Sequence, residues 1–329
     1  MRGLANRVDT RHFRVRAVRR RVPVLKGITS SMISLFRYIL VAGISFVILY
    51  PLLVRFSASL MQESDLYDLT VQWIPKSPSL ANYRIALDFM EYPQAFVNTF
   101  SLAVVVSVAQ LLACSFIGYG FARFQYPGSN VVFALVIFTL LVPPQMIMVP
   151  LFLNFRFFDL FGVLPDPGIN LIGSNWPFLM LAVTGTGMRN GLFIYIMRQF
   201  FRGFSQELEE AAYVDGAGPL KTFVLVMIPN AVPVMITVFL FAFVWQWNDL
   251  FYVNLFLTRD IKVLPFTLST LANNYQYYME RSEGVRLAPQ YLSVINNAGM
   301  LLFIAPLIAI YAFLQRYFVE SIERSGIVG

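Results

Sequence analysis

The chain has 329 residues, of which 57% are hydrophobic and only 13% charged, and its formal net charge is +7. About a quarter of the residues in an ordinary soluble domain are charged, so this chain has too little charge to clothe a water-facing surface. Disorder, a coiled coil and most soluble globular folds are excluded, and the composition points to a membrane protein.

Residues 1–34 form a basic tail. Ten Lys and Arg residues and a single acid, Asp9, fall within residues 1–37. This density suits topogenic charge or anionic lipid headgroups. Nucleic acid is the lesser reading, because the tail has few aromatics for base stacking and directly precedes a span.

A bilayer core needs about 20 apolar residues per helix. Six stretches meet that length, at about 35–56, 98–121, 131–153, 177–198, 229–254 and 296–317. The expected fold is therefore an all-α integral membrane protein with six spans. The first stretch exceeds the ~7–15 residues of a signal-peptide core, so it reads as an uncleaved anchor. With the basic tail inside, both termini face the cytoplasm. Loops 57–97, 154–176 and 255–295 then lie outside, and 122–130, 199–228 and 318–329 lie inside.

Within the third span Pro143-Pro144 removes backbone donors and bends or breaks the helix. In the fourth, Gly187 and Gly191 are spaced as GxxxG beside Thr184, Gly185 and Thr186, a small-residue face suited to close helix packing.

Several chemistries are excluded. The lone Cys114 sits in an apolar run and provides neither an internal disulfide nor a thiolate metal site. The lone His12 lies in the basic tail, which removes His-based zinc sites and a Ser-His-Asp triad. No GxxxxGK[ST] phosphate loop occurs. An enzyme is not expected, nor any cofactor or metal held by this chain.

The loop between the fourth and fifth spans, FRGFSQELEEAAYVDGAGPLKTFVLVMIP (201–229), has the signals of a short helix. Ser205 caps its start, and Glu207, Glu209 and Glu210 fall where the helix dipole favours negative charge. Leu208, Ala211, Ala212 and Val214 provide an apolar face. Gly216 stops the helix, Pro219 opens a second helical piece, and Pro229 marks entry to the next span. An interfacial helix, a cap on the bundle and a docking knob are all open. The acidic start disfavours anionic headgroups.

Glu210-Ala211-Ala212, Gly216 and Val226-Met227-Ile228-Pro229 together resemble the EAA motif of permease subunits of ATP-binding-cassette (ABC) importers. Asp215-Gly216-Ala217 resembles the carbohydrate-uptake branch, and specifically its maltose-permease-like subunits. The likeness extends from about residue 79 to the C-terminus through GYGFARFQYPG (118–128), PPQMIMVPLF (143–152) and WNDLFYVNLFLT (247–258). The ending Ser325-Gly326-Ile327-Val328-Gly329 departs from the family's commoner Gly-Ala-Val-Lys-Gly.

This resemblance implies a six-transmembrane-helix type I ABC importer permease fold in a bacterial cytoplasmic membrane. It also implies a second permease subunit, two copies of an ATPase that uses ATP and Mg, an extracytoplasmic solute-binding protein and a carbohydrate substrate. On this reading Glu207, Glu210, Ala211, Ala212, Asp215 and Gly216 form the coupling site for the ATPase. An ion-coupled secondary transporter acting alone is the alternative, but the paired broken spans of two related halves that would favour it are not evident.

Polar residues inside spans carry an insertion cost. They are Gln110, Gln145, Arg189, Asn190, Gln246, Asn248, Asp249, Asn296 and Asn297. Trp245 and Trp247 bracket Gln246, and an aromatic face beside amides suits a sugar ring. Trp245, Gln246, Asn248, Asp249 and Arg189 are the substrate-path candidates. Interface anchoring by Trp and helix–helix bonding by amides are the structural alternatives. Arg189 has three possible partners: an acid on another subunit, water, or an anionic solute.

Overall fold

The computed structural model describes residues 24–326 apart from 161 and 165, with side chains over 31–315. The basic tail up to residue 23 and the last three residues of the C-terminal ending lie outside the described residues. The chain divides into two units, residues 1–54 and 55–329. In the first, the described residues are helix α1, Val24–Ser59, which continues into the second unit.

The second unit is built around α3, Tyr92–Arg123. Its residues contribute to three apolar clusters. Ala95 and Ala103 pack with Trp247, Leu271 and Ile295. Leu102 and Val106 pack with Phe155, Phe178 and Phe256, and Cys114 and Tyr119 with Phe193, Phe201 and Met227. At Gly118 a methyl group would lie 2.7 Å from Met197 Cβ and 2.9 Å from the Arg198 backbone nitrogen. Only glycine lets α3 approach helix α7, Asn190–Arg202, this closely.

Among the described residues four helices are long and apolar enough to cross a membrane in one piece: Ser31–Ser59, Tyr92–Arg123, Pro219–Trp247 and Pro289–Gln315. The third predicted span is broken, as Pro143-Pro144 foretells. Helix α4 covers Ser129–Phe138, a short 3₁₀ turn covers Pro144–Ile147, and α5 covers Met148–Arg156.

The fourth predicted span is also broken, and here the sequence reading needs correction. Helix α6 runs Trp176–Val183 and α7 runs Asn190–Arg202, with a loop between them. Gly185 and Arg189 adopt left-handed φ values of 72° and 65°, which no continuous helix contains. Gly187 and Gly191 are therefore not neighbours on one helical face. Gly187 sits in the loop, where a methyl group would lie 3.2 Å from Leu181 O. Gly191 packs α7 against α4, where a methyl group would lie 2.8 Å from Val136 O.

After α8 (Glu207–Val214), helix α9 (Pro219–Thr222) runs through a π turn at Phe223–Met227 into α10 (Ile228–Trp247). Pro229 has no N–H and its ring crowds the carbonyl four residues earlier. The wider π turn relieves that crowding. Helix α11 (Phe251–Phe256) follows a short break, and α13 spans Pro289–Gly326.

Two of the segments read as loops hold helices, α2 (Ala81–Phe89) and the 19-residue α12 (Leu264–Ser282). Tyr275 of α12 meets Phe89 of α2 edge-on at 5.0 Å. The segment before α12 is tied to α3: Lys262 pairs with Glu91 at 3.1 Å, and Leu264 N donates to Thr99 Oγ1 at 2.8 Å.

Candidate functional site

Helix α8 is turned inside out relative to a helix of a soluble protein. Its one buried side chain is an acid, Glu209, 7% exposed. Its apolar residues point outward: Val214 is 87% exposed, and Leu208 and Tyr213 are exposed as well. Glu207, Glu210, Ala211, Asp215 and Gly216 are exposed and Ala212 is half-buried. All six predicted coupling residues thus lie on one short helix and its terminal turn. An exposed apolar patch of this kind, rimmed by acids, is a feature of surfaces that contact another molecule.

The helix ends are well defined. Ser205 Oγ accepts from Glu207 N at 3.2 Å, at the start of the first turn. At the other end Ala217 N donates to Ala212 O at 2.9 Å and Gly216 N to Tyr213 O at 3.0 Å. This is a Schellman stop with Gly216 at φ 77°.

Glu209 fixes the helix to the bundle. Its Oε1 lies 3.0 Å from Arg123 Nε, and both side chains are less than 10% exposed. The two atoms do not align as a hydrogen bond, so the contact is a charge pair. Arg123 Nη2 also donates to Phe204 O at 3.1 Å. Arg123 therefore ties the end of α3 to both the entry and the interior of the loop. Sequence reasoning assigned Glu209 to the helix dipole and gave Arg123 no role beyond topology. The buried partner is 86 positions away, and no local signal points to it.

The polar residues within the spans divide into two groups. In the first, side chains satisfy the backbone at broken helices. Gln110 Nε2 donates to Asn190 Oδ1 at 2.8 Å and to Met188 O at 3.3 Å. Asn190 Nδ2 in turn approaches Leu181 O at 3.4 Å and Ala182 O at 3.5 Å. Together they supplement the loop N–H groups of Gly185, Thr186 and Gly187, which already donate to the Ala182 and Leu181 carbonyls at the end of α6. Asp249 Oδ1 accepts from Tyr252 N at 3.0 Å in the first turn of α11, while Asn248 Nδ2 donates back to Val244 O at 2.7 Å. Asn297 Oδ1 accepts from Arg55 Nη1 at 2.8 Å. Trp247 is fully buried and donates to Phe303 O at 3.2 Å, so it faces away from its sequence neighbour Trp245. Gln145 is exposed on the 3₁₀ turn.

The second group is what remains: Trp245, Gln246 and Arg189. The Arg189 guanidinium lies over the Trp245 ring, 5.2 Å from its centroid, and Phe193 stacks on that ring at 5.5 Å. Gln246 Nε2 is buried without a hydrogen-bond partner. It adjoins a small cleft lined by Gln110, Met188, Phe193, Ala242, Trp245, Gln246 and Asp249. An unpartnered amide donor and the Trp245 ring thus share this cleft. Gln246 Nε2 is one of several buried polar atoms without a hydrogen-bond partner, Asn296 Oδ1, Ser107 Oγ and Ser115 Oγ among them.

No group of His, Cys, Asp and Glu suited to a metal ion occurs among the described residues.

These features belong to a multi-pass membrane protein, with at least four apolar helices among the described residues long enough to span a bilayer. Residues 114–324 match the family model described as binding-protein-dependent transport system inner membrane component. The chain belongs to that family. It is 30% identical over 296 residues to the osmoprotective compounds uptake permease protein of Synechocystis, covering 88% of this chain and 91% of that one. It is 25% identical to the galactooligosaccharides transport system permease protein of Bacillus subtilis, covering 90% and 95%. The crystal structure of a bacterial ABC transporter involved in import of the acidic polysaccharide alginate superposes with a TM-score of 0.66 at 22% identity, covering 88% of this chain and 98% of that one. That likeness concerns the fold.

Proposed function

We propose that this chain is the permease subunit of an ABC importer for a carbohydrate or a hydroxyl-rich derivative. It works with a second permease subunit, two copies of an ATPase and an extracytoplasmic solute-binding protein. ATP and Mg are consumed by the ATPase, since this chain has no phosphate loop. The ten Lys and Arg residues against one acid within residues 1–37 support a bacterial cytoplasmic membrane location with the N-terminus inside, and six crossings then return the C-terminus to the same side.

The observation that carries the reading is α8, with its acid anchor inward and its remaining acids and apolar side chains outward. In this role Glu207, Glu210 and Asp215 meet polar groups of the ATPase, Ala211 and Ala212 allow close approach, and Gly216 makes the turn. Closure of the ATPase pair pushes α8, and the push passes along Arg123 to α3 and through Pro219 into the helix that ends at Trp247. Such rigid-body coupling switches the cavity between its two accessible states. Along the substrate path, Gln246 and Arg189 donate to solute hydroxyls and Trp245 holds Arg189 in place. Asn248 and Asp249 shape the turn below them.

The names of relatives support the substrate class, since one is a permease for galactooligosaccharides and another for osmoprotective compounds. The test is to purify the chain with its co-eluting subunits and screen sugars for stimulated ATP hydrolysis. Glu210→Lys and Gly216→Pro are each expected to abolish stimulation or assembly. Normal sugar-stimulated hydrolysis in both variants overturns the coupling role. Uptake that follows an ion gradient without any ATPase overturns the importer reading itself.

A further inference from the structure

The coupling surface and the polar cluster leave one roomy cavity unexplained. It measures about 750 Å³ and opens at the turn between α3 and α4, with Arg198, Arg202 and Gln206 completing its wall. Arg198 and Arg202 stand four residues apart on α7 and so share a face. No carboxylate lines the cavity. The acid that borders this region, Glu209, is taken up by Arg123. Neither Arg198 nor Arg202 has an ion pair among the described residues.

Two cations on one wall without a counter-charge repel each other, and an anion between them removes that cost. The Arg198 guanidinium is already oriented. It lies over the Phe133 ring at 3.8 Å, and its Nε donates to Phe121 O at 3.4 Å. The N-terminus of the ten-residue α4 also opens onto the cavity through Ser129 and Asn130, and its dipole favours negative charge.

The surroundings identify what kind of anion fits. Val131 lines the cavity, and one and two turns further along α4 come Leu135 and Phe138. All three are exposed, at 65%, 60% and 58%, and their spacing places them in one apolar row. A charged head at the arginines and an apolar tail along this row belong to the same molecule.

We propose that this cavity binds an anionic phospholipid, with its phosphate between Arg198 and Arg202 and an acyl chain along Val131, Leu135 and Phe138. A basic pocket at the end of membrane-spanning helices is a suitable receptor for such headgroups. The cavity shares Arg123 and Gln206 with the base of α8, but Arg198 and Arg202 are not among the coupling residues, and the site does not depend on the identity of the transported solute.

The test uses the full chain with its co-purifying subunits in phosphatidylcholine nanodiscs, with and without phosphatidylglycerol. Retained lipid is read by native mass spectrometry and protection by thermal denaturation. Wild type should retain phosphatidylglycerol and gain thermal protection from it. Each basic residue near an anionic surface contributes roughly a five-fold factor in affinity, so Arg198→Gln with Arg202→Gln should lose roughly 25-fold. Arg202 is exposed, so Arg202→Gln alone tests the site without burdening the fold, and Arg156→Gln at the end of α5 should leave retention unchanged. Equal retention in wild type, Arg202→Gln and the double variant overturns the proposal. Equal protection by inorganic phosphate in phosphatidylcholine makes the site one for a soluble anion and overturns the lipid assignment. Lipid retained by the permease subunits alone but absent from the complex that contains the ATPase also overturns it, in favour of a partner carboxylate.

Discussion

Replacing Glu209 with Leu leaves Arg123 buried with only the Phe204 carbonyl for company. Removing one member of a buried ion pair costs about 3–5 kcal/mol, most of it from the stranded charge. If the pair holds α8 against the bundle, this energy appears in local opening of residues 207–214. A loss of about 3 kcal/mol raises the opening equilibrium more than roughly a hundredfold. Hydrogen exchange followed by mass spectrometry on the purified subunit measures this directly, with α12 as an internal reference that should not change. The double variant Arg123→Met with Glu209→Leu removes both charges and keeps apolar volume, so it should recover most of the protection. Unchanged exchange over 207–214 in Glu209→Leu would refute the reasoning, and so would a double variant that simply adds the two single effects.

Other outcomes follow from single positions. Gly216→Ala should destabilise the loop by about 1 kcal/mol, because φ is 77° although no atom lies within 4 Å. Gly218→Ala, at φ −78° and equally open, should not, and comparing exchange at 205–222 in the two variants checks this. Gly118→Ala should cost about 1–3 kcal/mol or more, since the added methyl meets Met197 Cβ and backbone of α7; a lowered melting temperature reports it. Asp249→Asn retains an acceptor for Tyr252 N and should leave transport intact. Asp249→Ala loses that cap at about 1 kcal/mol, and a selective rise in apparent KM with either variant at unchanged stability would instead mark solute contact.

The sequence made the continuous helices legible, because length and hydropathy suffice where nothing interrupts them. The break at Pro143-Pro144 was also readable, since proline carries its own physical reason. The break at 184–189 was not. Thr, Gly, Thr and Gly serve equally well on a packed helix face and in a turn, and only the left-handed φ at Gly185 and Arg189 distinguishes the two. Helix α12 escaped notice because its polar and aromatic residues give no strong apolar stretch, and its stability comes from packing against α2 and α13. At the site, the motif located α8, but nothing local could show which of three neighbouring glutamates turns inward. That choice is made by Arg123. For the same reason Gln110 and Asp249 stood out as costly intramembrane groups, when their partners are the exposed backbone ends of neighbouring helices.

The π turn at 223–227 has a consequence for how the two ends of one rod face each other. From Pro219 to Trp247 the helix runs roughly 43 Å at 1.5 Å per residue. A π turn holds one residue more than the α-helical count requires, and each residue in a helix advances the azimuth by about 100°. The compass bearing of Trp245 and Gln246 relative to α8 is therefore set by a residue count, like the clocking of a key on its shaft. Deleting one residue within 223–227 would let the turn close to α-helix with little net rotation, since the wider turn had absorbed the extra residue, whereas deleting one from the α-helical stretch 235–244 would rotate everything beyond it by that angle. The docking knob would be intact and the polar side chains intact, but they would point at different walls.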